Sequence, residues 1–274
     1  MKKIGFIDYY ISEWHANNYP AWIKNACKKL GAEFEVSYVW AEEYVSPVDG
    51  RNTDGWCEAF GAEKCESIEE LCEKSDYIVI LSPSNPEKHL GYAEIALKYG
   101  KNTYIDKTFA PDFATAKRIF DIAEQYGTKF FSSSALRYAS ELDGLVGAEG
   151  VCVTGGGRSI EEYIIHQAEI LVKLTDAEPE AVRVEKQGEH YLCTVRTEGG
   201  KQSSMLFAPG APFGVYTGGY TALNSDFFGA LIEDMLRFFD TGAPSFDAAQ
   251  TLKVMKIREG AVKGKDSLGE WIIV

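Results

Sequence analysis

The hydrophobic positions in the first half of the chain form short apolar runs set between stretches of helical periodicity. Residues 4–7 are one such run. Residues 21–30 then carry apolar side chains at 22, 23, 26, 27 and 30, a helical spacing closed by Gly31. The aromatic and β-branched stretch 34–40 predicts a second strand. After a loop holding Pro47, Gly50 and Asn52, helices are expected over 54–60 and 67–74, the latter opened by the capping box of Ser67 and Glu70. A strand at 77–81, a helix over 87–99 ended by Gly100, a strand at 103–105, a helix over 112–126 ended by Gly127 and a strand at 129–132 complete the series. Short, nearly all-apolar strands alternating with amphipathic helices are what a parallel sheet covered on both faces requires. The first half is therefore expected to be a doubly wound α/β domain.

The pattern changes after Arg137. Residues 151–154 and the turn of Gly155, Gly156 and Gly157 lead into a helix expected over 160–174. Segments 182–185, 191–197 and 203–207 alternate with the period of antiparallel strands, with Gly188 and the pair Gly199 and Gly200 as turn signals. Helices over 225–239 and 247–262 and a strand at 271–274 follow. Strands grouped together with helices to one side predict an α+β domain with an open, mainly antiparallel sheet. The expected division is residues 1–133 and residues 134–274.

Charge and composition narrow the function. The 274 residues hold 28 Lys and Arg against 41 Asp and Glu, a net charge of −13, with 45% hydrophobic and 25% charged residues. Such a make-up is that of an ordinary globular protein, and the length suits two domains. An acidic surface repels phosphate backbones and anionic lipid heads, so neither nucleic acid nor a membrane is an expected partner. A small anionic ligand is not excluded on that ground. No apolar stretch approaches the roughly 20 residues that span a bilayer, and Asp8 interrupts the N-terminal run before a signal-peptide core forms. A cytoplasmic protein is expected. Cys27, Cys57, Cys65, Cys72, Cys152 and Cys193 make no CxxC pair and no metal-ligand spacing, and are read as free thiols with no metal.

Ligands of doubly wound sheets bind at the carboxyl ends of the strands. That rule selects residues 8–15, 40–43, 82–89, 106–110 and 132–137. Several of these segments, in order, carry a resemblance. Ser67 to Leu71, the strand 76–80, Pro83 with His89, Gly100 and Lys101 before Tyr104 to Lys107, the segment of Ser134 and Arg137, the run from Glu162 to His166, and the helical run 227–262 together resemble the glucose-fructose oxidoreductase, inositol dehydrogenase and rhizopine-catabolism dehydrogenases, the Gfo/Idh/MocA family. The resemblance implies a Rossmann-like nucleotide domain, NAD or NADP, and a sugar- or polyol-like substrate held in the cleft between the domains. It also implies that Lys107 and His166 lie beside the nicotinamide and the substrate. Either side chain is suited to take up a hydroxyl proton once burial and neighbours bring its pKa toward neutrality. Glu162, one turn before His166, either orients the imidazole or is an ordinary surface partner.

By the same resemblance Asp8, Tyr9, Tyr10, Ser82, Pro83, Asn85, His89 and Asp106 line the cofactor crevice, and Arg137, Tyr163 and His15 meet the substrate. The sequence departs from the family after the first strand, where GxGxxG is absent from the segment Gly5 to His15 and matching His15 to the histidine after the family's glycines puts Asp8 and Tyr10 near glycine positions. An anionic side chain at about 4 Å from a phosphate costs roughly 1 kcal/mol in water and about 4 near a protein surface. Pro20, best tolerated in a first helical turn, places the helix cap at Asn18 or Tyr19 and leaves a loop of aromatic and polar residues before it. Glu42 or Glu43 either meets an adenosine ribose in a shifted register or, the favoured reading, is a solvated charge pair, and Asp106, Lys107 and Thr108 replace Glu-Lys-Pro. The glycine-rich stretch 210–220 is either a lid or a hairpin. An NAD(P)-dependent dehydrogenase is the leading expectation, with a non-redox lyase or epimerase on Lys107 and His166, or a small-molecule-binding regulator, as alternatives. An open sheet face makes a homodimer or homotetramer the expected assembly.

Overall fold

The first β-strand, β1 (Lys2–Asp8), is apolar from Ile4 to Ile7 and inaccessible on both faces, which places it in the middle of a sheet. In the computed structural model, which describes residues 1–274, it is followed by α1 (Trp14–Leu30), β2 (Phe34–Ala41), α2 (Thr53–Phe60), β3 (Glu63–Lys64), α3 (Ile68–Lys74), β4 (Tyr77–Ile80), α4 (His89–Ala96), β5 (Thr103–Ile105), α5 (Phe113–Tyr126) and β6 (Phe130–Phe131). All six strands are parallel, in the order β3-β2-β1-β4-β5-β6. The order reverses between β1 and β4, and that switch point is where such sheets take ligands. Helix ends follow the sequence signals: Gly31, Gly100 and Gly127 adopt the left-handed conformation that stops a helix, and the Ser67 hydroxyl accepts from the Glu70 N–H.

Helix α1 begins earlier than Pro20 led us to expect. It starts at Trp14 and runs through Pro20, so the long aromatic loop is not formed. A proline inside a helix costs about 3 kcal/mol. Against that stand the two amides capped by Glu13 and the burial of His15, Ala16 and Tyr19, all of which precede Pro20, at about 1.5–3 kcal/mol for each large side chain. The sum favours the longer helix.

After Ser132 the chain builds a second unit. Its elements are β7 (Cys152–Gly155), α6 (Ile160–Thr175), β8 (Pro179–Gln187), β9 (His190–Thr197), β10 (Gln202–Phe207), β11 (Gly214–Tyr216) and β12 (Tyr220–Ala222). Then come α7 (Phe227–Thr241), α8 (Gln250–Lys265) and β13 (Trp271–Ile273). The sheet order is β12-β11-β7-β10-β9-β8-β13, antiparallel except for the β7–β10 pair. Val153, Val184, Cys193, Val195 and Met205 are fully buried, and α6 and α8 pack on the sheet. Leu192 and Leu206 form a cross-strand pair that is partly exposed. The stretch 210–220 is a hairpin, β11 to β12, rather than a lid.

The units are not divided at residue 133 alone. Unit one is Met1–Ser132 with Phe228–Ala248; unit two is Ser133–Phe227 with Ala249–Val274. The segment 228–248, expected with the second domain, returns to the first because its aromatic face has partners there. Phe239 stacks on Tyr77 at 4.8 Å, Phe238 meets Phe131 edge-on at 4.9 Å, and Phe228 stacks on Trp22 at 4.8 Å. Asn102 fixes the end of α7 by donating to the Phe239 carbonyl at 2.9 Å.

Candidate functional site

At the switch point the carboxyl ends of β1, β4 and β5 bring Asp8, Ser82 and Asp106 together with the start of α1. Asp8 is 1% exposed. Its Oδ1 accepts from the Tyr9 N–H at 2.7 Å, the Ser82 N–H at 3.0 Å and the Ser82 hydroxyl at 3.2 Å, while Oδ2 has no partner. Burial, and then the neighbouring Glu13 carboxylate, push Asp8 well above the usual carboxylate range. Ser82 holds a positive φ of 65°, which turns its N–H and hydroxyl onto that carboxylate. Tyr9 and Tyr10 are half-buried with ring centroids 5.6 Å apart, and Lys88 lies 4.6 Å over the Tyr9 ring.

Glu13 caps α1. It is 6% exposed, and its carboxylate accepts from the N–H groups of His15 and Ala16. No signal short of the helix start itself marks this residue in the sequence, because glutamate is not a favoured cap. His15 is buried in the first turn, where its Nδ1 meets the Asp106 carboxylate and its ring stacks on Tyr19. Burial works against the charge on Asp106, but the charge and hydrogen bond of His15, with Lys107, outweigh it and hold the pKa below normal. Asp106 also accepts from the Tyr104 hydroxyl and the Lys107 N–H.

Lys107 follows Asp106 at the end of β5, half-buried, with Nζ 3.3 Å from the Pro83 carbonyl; its peptide bond to Thr108 is cis. His89 is not a crevice residue. It is fully buried, with Nδ1 on the Phe109 carbonyl and Nε2 on that of Leu81, and burial lowers its pKa against those two contacts. Asn85 donates to Glu87 beside it. Glu42 pairs with Lys88 and accepts from the Tyr92 hydroxyl.

The remaining candidates lie in unit two. The His166 Nδ1 is 2.7 Å from the Ser134 hydroxyl, and its ring lies 5.6 Å from both Tyr163 and Phe213. Glu162 does not orient it: its carboxylate pairs with Arg158, four residues earlier on the outside of α6. Arg137 is buried and paired through Nε with Glu169, whose carboxylate also accepts from the Ser133 hydroxyl at 3.3 Å and the Ser134 N–H at 3.4 Å. Arg137 thereby organises the serine segment from behind. Ser134 and Glu169 were missed as functional residues, although the serine segment itself was marked. The three glycines 155–157 serve close packing: a Cβ on Gly155 would lie 2.3 Å from the Phe213 ring, on Gly156 1.8 Å from the Ala208 carbonyl, and on Gly157 2.1 Å from the Tyr163 ring.

All six cysteines are free thiols, and burial pushes Cys57 and Cys65 up to about 11 and Cys72 and Cys193 up to about 12. No cluster of His, Cys, Asp and Glu is arranged to hold a metal ion, and no helix is long and apolar enough to cross a membrane.

The ends of β4 and β5 bring the Lys107 Nζ to the Pro83 carbonyl, next to Ser82. The β1–α1 turn does not fit a pyrophosphate, because the amides that would receive it already bind Glu13 and the buried Asp8 adds a second carboxyl group.

Comparison with known proteins agrees with this architecture. Residues 41–134 match the model of the Gfo/Idh/MocA oxidoreductase family, NAD-binding Rossmann fold, a span that begins after the β1–α1 turn. The oxidoreductase YhhX of Escherichia coli K12, itself uncharacterized, is 32% identical over 60 residues, which are 22% of this chain and 17% of that protein. The myo-inositol dehydrogenase of Lactobacillus casei, solved with NAD(H) and myo-inositol, superposes with a TM-score of 0.82 at 14% identity over 100% of this chain and 97% of its own. The UDP-N-acetylglucosamine 3-dehydrogenase GnnA of Acidithiobacillus ferrooxidans gives 0.73 at 15% identity, over 97% of each chain. Residues 41–134 thus match the Gfo/Idh/MocA oxidoreductase family in sequence, and the whole chain shares the fold of dehydrogenases of that kind.

Proposed function

We propose that this chain acts on a sugar, polyol or related small hydroxy compound by proton transfer at Lys107 and His166. The observation that carries the proposal is the setting of Lys107. It stands at the carboxyl end of β5, next to a carboxylate held ionised by His15, where a doubly wound sheet presents groups to its ligand. His166 is held through Nδ1 by the Ser134 hydroxyl, which fixes the orientation of its ring. Arg137, paired with Glu169, positions the serine segment rather than the substrate, and Tyr163 supplies a ring beside His166.

Two reaction classes need such a proton acceptor: in hydride transfer it takes the hydroxyl proton as the carbinol hydride passes to NAD or NADP, and in elimination or epimerisation it takes a carbon-bound proton beside a carbonyl or carboxylate. Hydride transfer to NAD or NADP is favoured by the family match over residues 41–134 and by the fold shared with dehydrogenases. Elimination or epimerisation without a dinucleotide in the ordinary seat is favoured by the Glu13-capped turn, and the geometry supports it best. The exposed Leu192 and Leu206 pair supports self-association as a homodimer or homotetramer within the same proposal.

The test is a panel of inositols, aldoses, aldonic and uronic acids, with binding followed by calorimetry and turnover by proton NMR in heavy water. Saturable binding is expected for at least one member, with conversion or carbon-bound deuterium incorporation that falls about 10²- to 10⁴-fold in Lys107→Ala and in His166→Ala. Binding without turnover identifies a regulator instead. A panel with no binder sinks the substrate class.

A further inference from the structure

We propose that the Glu13 carboxylate stands in the place of a ligand phosphate at the N-terminus of α1 and, with Asp8, excludes the pyrophosphate of NAD or NADP from the β1–α1 turn. In a parallel sheet of this order the first helix aims its N-terminal amides at the switch point, and an anion bound there satisfies donors that have no partner within the helix. Here those donors have a partner from the chain itself. The His15 and Ala16 N–H groups, second and third of the helix, both bind Glu13, which is 6% exposed.

Asp8 is an independent obstacle. It ends β1, is 1% exposed, and keeps its Oδ2 without a hydrogen-bond partner after Oδ1 has accepted from Tyr9 and Ser82. Rotating Glu13 outward frees two amides and leaves Asp8 where it is. Residues 9–13 contain no glycine, so the side chains of the turn occupy the room that close approach of a diphosphate requires. Lys88, which lies over the Tyr9 ring, is already paired with Glu42. Charge, donors and space therefore all oppose the ligand that the fold accepts elsewhere. The inference concerns the dinucleotide seat alone and does not depend on which hydroxy compound the protein binds.

Its test is calorimetric titration of the full chain with NAD, NADP and ADP-ribose, using wild type, Glu13→Ser and the double variant Asp8→Asn with Glu13→Ser. Serine keeps the helix capped and asparagine keeps an oxygen for the Tyr9 and Ser82 donors, so both changes remove charge without removing the local hydrogen bonds. Near-ultraviolet circular dichroism checks the fold. Glu13→Gln, which retains one acceptor oxygen, replaces the serine variant if that one does not fold. Wild type is expected to bind with Kd above about 1 mM, and the double variant at least about tenfold more tightly. A wild-type Kd in the micromolar range overturns the proposal. So does a folded double variant that gains nothing, since the obstruction then does not come from these two carboxylates.

Discussion

A carboxyl group shut away from water with no cation beside it gives up its proton less readily, and Asp8 is in that position. Asp106, at the end of a nearby strand, shows the reverse: His15 and Lys107 overcome its burial and keep it ionised. The two make opposite demands on pH. Because the folded-state pKa of Asp8 is raised, its contribution to stability is complete below the unfolded value near 4 and is lost as pH rises through the folded value. Thermal melts of wild type and Asp8→Asn between about pH 4 and 8 are therefore expected to diverge, the wild type losing more of its melting temperature as pH rises. Glu13 is raised in the same direction and leaves the variant some slope of its own. Parallel curves would show that Asp8 is ionised in the folded protein throughout. These residues also mark where the sequence is silent. Asp8 was visible as an acid in a glycine position, but its burial and its tie to Ser82, 74 residues away, depend on strand order. Glu13, Ser134 and Glu169 gain their roles from neighbours that only the fold supplies.

Elements whose ends are marked by local chemistry were legible. Ser67 and Glu70 open α3, Asp112 caps α5, and Gly31, Gly100 and Gly127 stop the structures before them. Helix α1 was misjudged at its start because Pro20 is a local signal and the burial that overrides it is not. The strand β3 is two residues long and has no periodicity to read, whereas the hairpin β11–β12 was one of two readings of a glycine-rich stretch. Gly5 shows how tightly elements meet. It lies in mid-β1 without a positive φ, but a Cβ there would lie 2.3 Å from the hydroxyl of Ser75, which caps the end of α3, and 2.5 Å from Leu71 within that helix. Gly5→Ala is expected to lower unfolding free energy by about 1–3 kcal/mol in urea titration, the usual cost of overfilling a packed contact. A change within ~0.5 kcal/mol means that α3 gives way freely.

At the scale of the molecule, the sequence conveyed two sheets of the right kinds but not the path that joins them. Helix α7 has an ordinary amphipathic face, and nothing in its residues says which sheet it covers. In the structure its Phe238 and Phe239 close over Phe34, Tyr77 and Phe131. Residues 1–132 made alone leave those rings bare. At about 1.5–3 kcal/mol for each large side chain, the loss is comparable with the roughly 5–15 kcal/mol that holds a whole domain together. That fragment is expected to show no cooperative transition by calorimetry, and a fusion that restores 228–248 is expected to regain one. A sharp transition in 1–132 alone, at the temperature of the intact chain, argues that α7 is a passenger.

The same return of α7 sets an order of events during synthesis. All six strands of the parallel sheet are made before residue 133, but the segment that completes their unit, 228–248, begins after a further 95 residues, positions 133 to 227. At roughly 5–20 residues per second, the nascent sheet waits on the order of 5–20 s with an aromatic face uncovered. The first unit to be made is thus not the first that can finish, and the newborn chain carries for that interval a hydrophobic surface open to chaperones or to other unfinished chains.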